Sequence, residues 1–395
     1  MLKKMACLYC LALMLLLSAC FDGEESSFVG PDDDEDEMLD SDTSEFSGEL
    51  AWHFSGSGSS GIALWRLEDS ELRLTERASQ NQEALRLPSL ARNQAGLTFT
   101  VDQTTETDTL PRVIHVDSSG NDRQSLPRDA GADTRLSWGA SVDADASTIA
   151  FAEDIRSVAS DPESSVSRGV GIWDPIADQV ETLVTVEGDI SCTDINAAGT
   201  FVIFNDDGQL FRSPSSGANP VPVPSNHADL RAVIVDQPAA GPCPFQLSDD
   251  GNRVAFMGEL ENQDGVGAFF AQMDAGAAQR VAPDLAGDLV AWRLAGNGER
   301  GVLLSRDESG DNTIWRMFSI LMINPGQTTQ VTSITQVDGA PDPGVDISAD
   351  GQTLVLSGRD QDGPFLELSD FSGENSVRID GNSETMGEGR LIPLF

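Results

Sequence analysis

The sequence predicts an all-β fold, a β-propeller of seven four-stranded blades, with six or eight blades as the alternatives. Three observations lead there. A pattern of about fifty residues recurs along the chain. Each copy reads as four short strands joined by Gly, Asp and Asn turns, and no stretch carries the apolar period of a helix. Hydrophobic residues make up 39% of 395, enough to bury a substantial core.

The repeated core is a small residue after a Ser/Asp-rich turn, then two variable positions and an apolar–x–apolar run. It stands at 96–101 (GLTFTV), 146–151 (ASTIAF), 199–204 (GTFVIF), 251–256 (GNRVAF), 298–303 (GERGVL) and 351–356 (GQTLVL), with a degenerate first copy at 49–54 (ELAWHF). The final residues, Phe54, Val101, Phe151, Phe204, Phe256, Leu303 and Leu356, lie 47, 50, 53, 52, 47 and 53 apart. Before the turn a short strand is predicted at 138–142, 192–195, 245–247 and 345–347. An aromatic-bearing strand follows the core, at 62–67, 113–116, 171–173, 209–211, 268–272, 313–317 and 365–368, and a fourth at 180–183 and 376–379. The first copy has an acidic stretch where its innermost strand belongs. One period beyond Val345 falls near the chain end, Arg390-Leu-Ile-Pro-Leu-Phe395, so this tail is predicted to complete the first blade and close the ring.

Two copies, 248–256 (SDDGNRVAF) and 348–356 (SADGQTLVL), resemble the Ser-Pro-Asp-Gly-x-x-Ile-Ala-Phe repeat of TolB-type propellers. The resemblance spans roughly residues 47–380. It implies the fold and not an activity. The helical domain that precedes the TolB propeller has no counterpart here, so the partners of TolB do not transfer.

Ahead of the propeller, predicted over 47–395, lie two further segments. Residues 1–19 read as a signal peptide: Lys3 and Lys4, an apolar run over 5–17, then small residues. The run is shorter than the roughly 20 residues of a membrane span. Leu17-Ser18-Ala19-Cys20 resembles the lipobox of bacterial lipoproteins, which implies cleavage before Cys20 and lipidation of its thiol. Several acyl chains on one residue hold a protein stably to a membrane. In that family an Asp after the cysteine favours inner-membrane retention; Phe21 stands there instead, which implies the outer membrane. Residues 20–46 are rich in Gly, Ser and acids, with Asp32 to Glu37 unbroken, and read as a self-repelling tether.

The chain holds 24 basic and 65 acidic residues, a net charge of −41. Its lysines are Lys3 and Lys4 and its one tyrosine is Tyr9, all in the signal segment, so the mature chain carries arginine as its sole strong base. Such a field repels phosphate backbones, and nucleic acid is excluded as a partner. Lysine Schiff-base and phosphate-loop chemistry are excluded with it.

Cysteines beyond the lipobox are few. Cys7 and Cys10 leave with the signal. Cys192 and Cys243 occupy matching places in consecutive copies, 12 and 13 residues before Phe204 and Phe256. A disulfide between them suits an oxidising compartment; two buried free thiols and a catalytic thiol are the alternatives. The acidic turns, with Asp143, Asp145, Asp206, Asp207, Asp249, Asp250 and Asp350, recur with the repeat as turn-forming residues do. No metal or other cofactor is expected. The run 305–315 faintly resembles the Asp-box turn of sialidases, with insertions, but the mature chain has no tyrosine nucleophile. His53 and His115 fall in predicted strands, where a structural role is expected. His227 follows Pro222-Val-Pro-Ser-Asn226 in a loop and is the candidate for a site.

These readings point to a lipid-anchored protein of the cell envelope, at the outer membrane and facing periplasm or exterior. Its expected work is binding an envelope protein as a scaffold, a role that propeller-built outer-membrane assembly lipoproteins illustrate by fold analogy. Two alternatives stay open: a hydrolase or lyase acting on glycan or peptide with an acidic pair in the funnel, and a cation- or ligand-sensing propeller.

Overall fold

The computed structural model describes residues 46, 49–56, 59–67, 71–77, 83–91, 96–104, 109–117, 122–127, 129–130, 133–157, 165–217, 219–225, 230–232, 243–260, 265–274, 276–285, 287–309, 312–335, 340, 342–360, 362–380 and 391–394. The signal segment, Cys20, the tether up to residue 45 and His227 lie outside the described residues.

Among the described residues the regular structure is all strand, without helix, and the chain folds as an all-β propeller. The first sheet holds β1 (Glu49–Gly56), β2 (Ser59–Arg66) and β3 (Glu71–Arg77). The second holds β4 (Glu83–Leu90), β5 (Gly96–Thr104), β6 (Thr109–Asp117) and β7 (Arg123–Ser125). The third runs through β8 (Asp129–Ala130), β9 (Asp133–Val142), β10 (Ile149–Ser157), β11 (Ser165–Asp174) and β12 (Gln179–Val186). The fourth has β13 (Thr193–Ile195), β14 (Phe201–Asp206), β15 (Gln209–Pro214) and β16 (Val221–Pro222). The fifth has β17 (Leu230–Ala232), β18 (Phe245–Leu247), β19 (Arg253–Leu260), β20 (Gly267–Gln272) and β21 (Gly276–Val281). The sixth has β22 (Asp288–Leu294), β23 (Arg300–Ser309), β24 (Asn312–Leu321) and β25 (Thr328–Thr335), and the seventh β26 (Val345–Ile347), β27 (Thr353–Arg359), β28 (Pro364–Asp370) and β29 (Ser376–Asp380). The last strand, β30 (Leu391–Leu394), pairs antiparallel with β1, Ile392 opposite His53.

The inner strand predicted over 245–247 is present as β18, and the structure adds a second inner segment, β17, alongside β19. β17 pairs one half of β19, Leu230 opposite Leu260, and β18 pairs the other, Phe245 opposite Phe256. Repeat spacing could not reveal this, because Leu230 to Ala232 lies in the part of the copy where length varies. The extra β8, two residues long, is likewise below what an alternation pattern can register.

The repeated apolar run is the second strand of each sheet, and both of its faces are buried. Residues 202–204 (VIF) and 354–356 (LVL) are at most 1% exposed. Each face belongs to a different seam. Among the described residues, Ile149 and Phe151 of β10 pack with Val113 and Leu126 of the second sheet, while Ala150 and Ala152 pack with Ile195 and Phe204 of the fourth. One apolar cluster lies between each consecutive pair of sheets, and a further cluster joins Trp52 and Trp65 of the first sheet to Val355, Leu366 and Ile379 of the seventh. The interior is a set of radial seams, each fed by near-continuous apolar strands.

In five copies the small residue that opens the repeat has a backbone reason. Gly199, Gly251, Gly298 and Gly351 have φ between 65° and 74°, the left-handed region. At Gly251 a Cβ would also lie 2.6 Å from the Phe201 ring. Ala146 occupies the same turn in the third sheet with φ 54°, at a cost of roughly 1–2 kcal/mol.

Candidate functional site

The innermost strands border the propeller axis, and over most of its length the inner edge of such a strand has no strand to pair with. Its N–H groups still require acceptors. The chain supplies them from the neighbouring inner strand: Ser89 Oγ accepts from Val142 N–H at 3.4 Å, Asp194 Oδ2 from Leu247 N–H at 2.6 Å, and Gln246 Oε1 from Leu294 N–H at 2.8 Å. Arg293, in the corresponding place of the sixth sheet, has no acceptor to offer and donates to the Cys243 and Trp292 carbonyls instead. Asp194, Gln246, Arg293 and Asp346 thus form a polar row, pairing with Ile203, Ala255, Val302 and Val355 respectively. Sequence reading missed this row. Its signal was present, since each stands ten residues before the last residue of its copy.

The turn aspartates are spent on nearby backbone amides and serine hydroxyls. Asp143 Oδ1 accepts from Ser147 and Thr148 N–H, and Asp143 Oδ2 from Ser147 Oγ. Asp250 and Asp350 each accept from the serine two residues before them and the amide two residues after. Asp206 and Asp207 accept from Gly188 and Asp189 N–H. Arginines then tie each turn to the next around the ring: Arg212 to the Gly251 carbonyl, Arg253 to that of Asn297 and Arg300 to that of Gly351. Burial by itself would raise the Asp250 carboxyl, but the Ser248 and Asn252 hydrogen bonds and nearby Arg253 outweigh it and hold it below the usual range. Asp145 is exposed at its turn, and Asp249 is half-buried.

The buried Glu153 is also committed. Glu153, 1% exposed, accepts from Arg135 Nε at 2.8 Å and Thr182 Oγ1 at 2.6 Å. His53 is buried in β1 and His115 in β6, on neighbouring sheets. His115 packs edge-on against Trp173, centroids 6.4 Å apart. Burial holds its pKa below the ordinary histidine value, against the pull of Asp122, Asp117 and Asp143. Among the described residues no group of three His, Cys, Asp or Glu side chains could hold a metal ion.

The structure joins Cys192 and Cys243 in a disulfide, their Cα atoms 6.0 Å apart. The bridge links the segment entering β13 to the one entering β18, and so ties the fourth sheet to the fifth. In the same seam a cleft of about 370 Å³ opens, lined by Gln209, Leu210, Pro222, Ser225, Leu230 and Phe256 among others. One wall is the edge strand β16 and its neighbours, Pro220-Val-Pro-Val-Pro224. Val223 N–H turns inward to the Leu210 carbonyl. The prolines take the alternate positions, so the outward-facing edge offers no donor to a further strand. Ser225 and Leu230 flank 226–229, the segment that contains His227.

No protein-family model matches the chain, and no curated protein matches it. Among solved structures it is similar to an oligogalacturonate lyase from Vibrio parahaemolyticus, with a TM-score of 0.55, 9% identity, and coverage of 81% of this chain and 83% of that one. It is also similar to an oligogalacturonate lyase in complex with manganese, with a TM-score of 0.51, 14% identity, and coverage of 85% and 86%. TolB from Acinetobacter baumannii is a further neighbour, with a TM-score of 0.43, 14% identity, and coverage of 86% and 80%. The two lyase likenesses define the class, an all-β propeller, and at such identities they define the fold alone.

Proposed function

We propose that the chain is a lipid-anchored envelope protein whose propeller binds a partner protein through the cleft between its fourth and fifth sheets. In this reading Cys20 carries the lipid, residues 20–46 hold the ring off the membrane, and the ring is a scaffold. The seven sheets are seven blades, with β30 completing the first and closing the circle. The observation that carries the binding role is the cleft itself: a preformed hollow on a ring tied by cross-sheet hydrogen bonds, walled by apolar side chains and an edge that offers no outward N–H donor. Rigid preformed surfaces lose little entropy on binding. The anchor rests on Leu17 to Cys20, and the partner class on the exposed, acidic, lysine-free surface.

The test is crosslinking and affinity capture of the full-length acylated protein from its native membranes. One envelope protein is expected in stoichiometric amount. It should be lost from Gln209→Arg and Ser225→Arg variants, whose substituted side chains are exposed at the cleft, and from a His227→Ala variant. Recovery of the protein alone would sink the scaffold reading. Screens for glycan or peptide cleavage and for a Ca²⁺-dependent melting shift would then decide between the enzyme and sensor alternatives.

A further inference from the structure

The disulfide and the cleft belong to one apolar cluster. Cys192 packs with Leu210, Leu230, Ala232 and Phe256, and Cys243 packs against the same group. These four partners also line the cleft. Two backbone hydrogen bonds span the seam beside it: Ala232 N–H to the Gly208 carbonyl at 2.7 Å, and Ala278 N–H to the Pro224 carbonyl at 2.8 Å. The Cys243 carbonyl accepts from Arg293 of the sixth sheet, and Thr193 Oγ1 donates to the Gly139 carbonyl of the third. The bridge is thus the covalent link in a chain of contacts running through four sheets.

We propose that the Cys192–Cys243 disulfide sets the cleft, and that its reduction by a dithiol loosens the fourth–fifth seam and releases the cleft from its bound shape. Cys192 is 1% exposed, whereas Cys243 is half-buried, so an external thiolate meets the Cys243 sulfur first. The step is a two-electron exchange. The S–S bond breaks, both dithiol hydrogens pass to the cysteine sulfurs, and the reductant leaves as its own disulfide. Once the bond is gone, the two strand entries keep only packing and hydrogen bonds such as Leu247 N–H to Asp194 Oδ2, and the cleft-spanning hydrogen bonds open more often. As a control of binding this rests on the cleft's being the binding surface; as a property of the seam it does not.

Amide hydrogen exchange on the intact protein, with and without dithiothreitol, tests it. Exchange at Ala232 and Ala278 should rise roughly tenfold or more on reduction. Exchange at Ala144 and Asn297, whose N–H groups span the third–fourth and sixth–seventh seams, should not change. A Cys192→Ser/Cys243→Ser variant should exchange like the reduced protein and ignore dithiothreitol. An unchanged rate at Ala232 and Ala278 overturns the proposal, as does a uniform rise at all four amides, which would mean global destabilisation. The readout needs no partner, so a coupled seam with no captured protein counts against the scaffold reading and not against this one.

Discussion

His115 shows how one residue is shaped by its place in a seam. It stands on β6 facing the third sheet, where burial against Trp173 favours the neutral imidazole even though three aspartates lie near enough to favour the cation. The unfolded chain therefore takes up the proton more readily than the folded one. Stability is complete above the ordinary histidine value near 6.5 and declines as pH falls through it. Thermal melts between about pH 7.5 and 5 should show that decline, and a His115→Gln variant should flatten it. An unaltered slope in the variant would assign the titration elsewhere. Asp250, Asp360 and Asp370 act in a lower window. Burial would raise each carboxyl, but hydrogen bonds from neighbours such as Ser248, Arg378 and Ser372 hold all three below the ordinary value of 3.8, and their contribution is lost as pH falls beneath it.

Elements in this fold are decided at their edges. The inner strands have side-chain acceptors for the N–H groups that no strand receives, and β16 has prolines where donors would point outward. β30 solves the same problem for β1. Removing residues 391–395 deletes four pairings, Ala51–Leu394 to Phe54–Leu391. Taking about one hydrogen bond for each pairing, at about 0.5–1.5 kcal/mol each, the loss should be roughly 2–6 kcal/mol. Chemical denaturation would measure it, and light scattering should reveal self-association through the bared edge. Unchanged stability would refute closure by this strand.

At the scale of the molecule the dominant quantity is charge. Sixty-five acidic residues face 24 basic ones, and arginines such as Arg212, Arg253 and Arg300 are spent holding turns together. The excess negative charge repels itself in the folded state. Adding sodium chloride from about 0.01 to 0.5 M shortens the Debye length from roughly 30 Å to a few ångströms and should raise the melting temperature by several degrees. A fall on adding salt would mean that the surface ion pairs outweigh the repulsion.

The sequence by itself determined the repeat, the strand class and the positions of the core and aromatic-bearing strands of each copy, because those follow from local rules: apolar residues for a strand buried on both faces, and a left-handed turn that Gly199, Gly251, Gly298 and Gly351 satisfy; it left strands such as β3, β4, β7, β16, β21, β22 and β25 unplaced. It also carried the polar row at a constant offset of ten residues, though one residue type per copy, from Asp to Gln to Arg, disguises a position by its register. Only the tertiary structure decided which seam each strand face enters, that β17 and β18 share β19, and that the Cys192–Cys243 bridge, Phe256 and the Pro222 edge surround one cleft. Those are relations between residues some fifty positions apart in neighbouring copies. Local chemistry does not encode them; the geometry of packing one sheet against the next does.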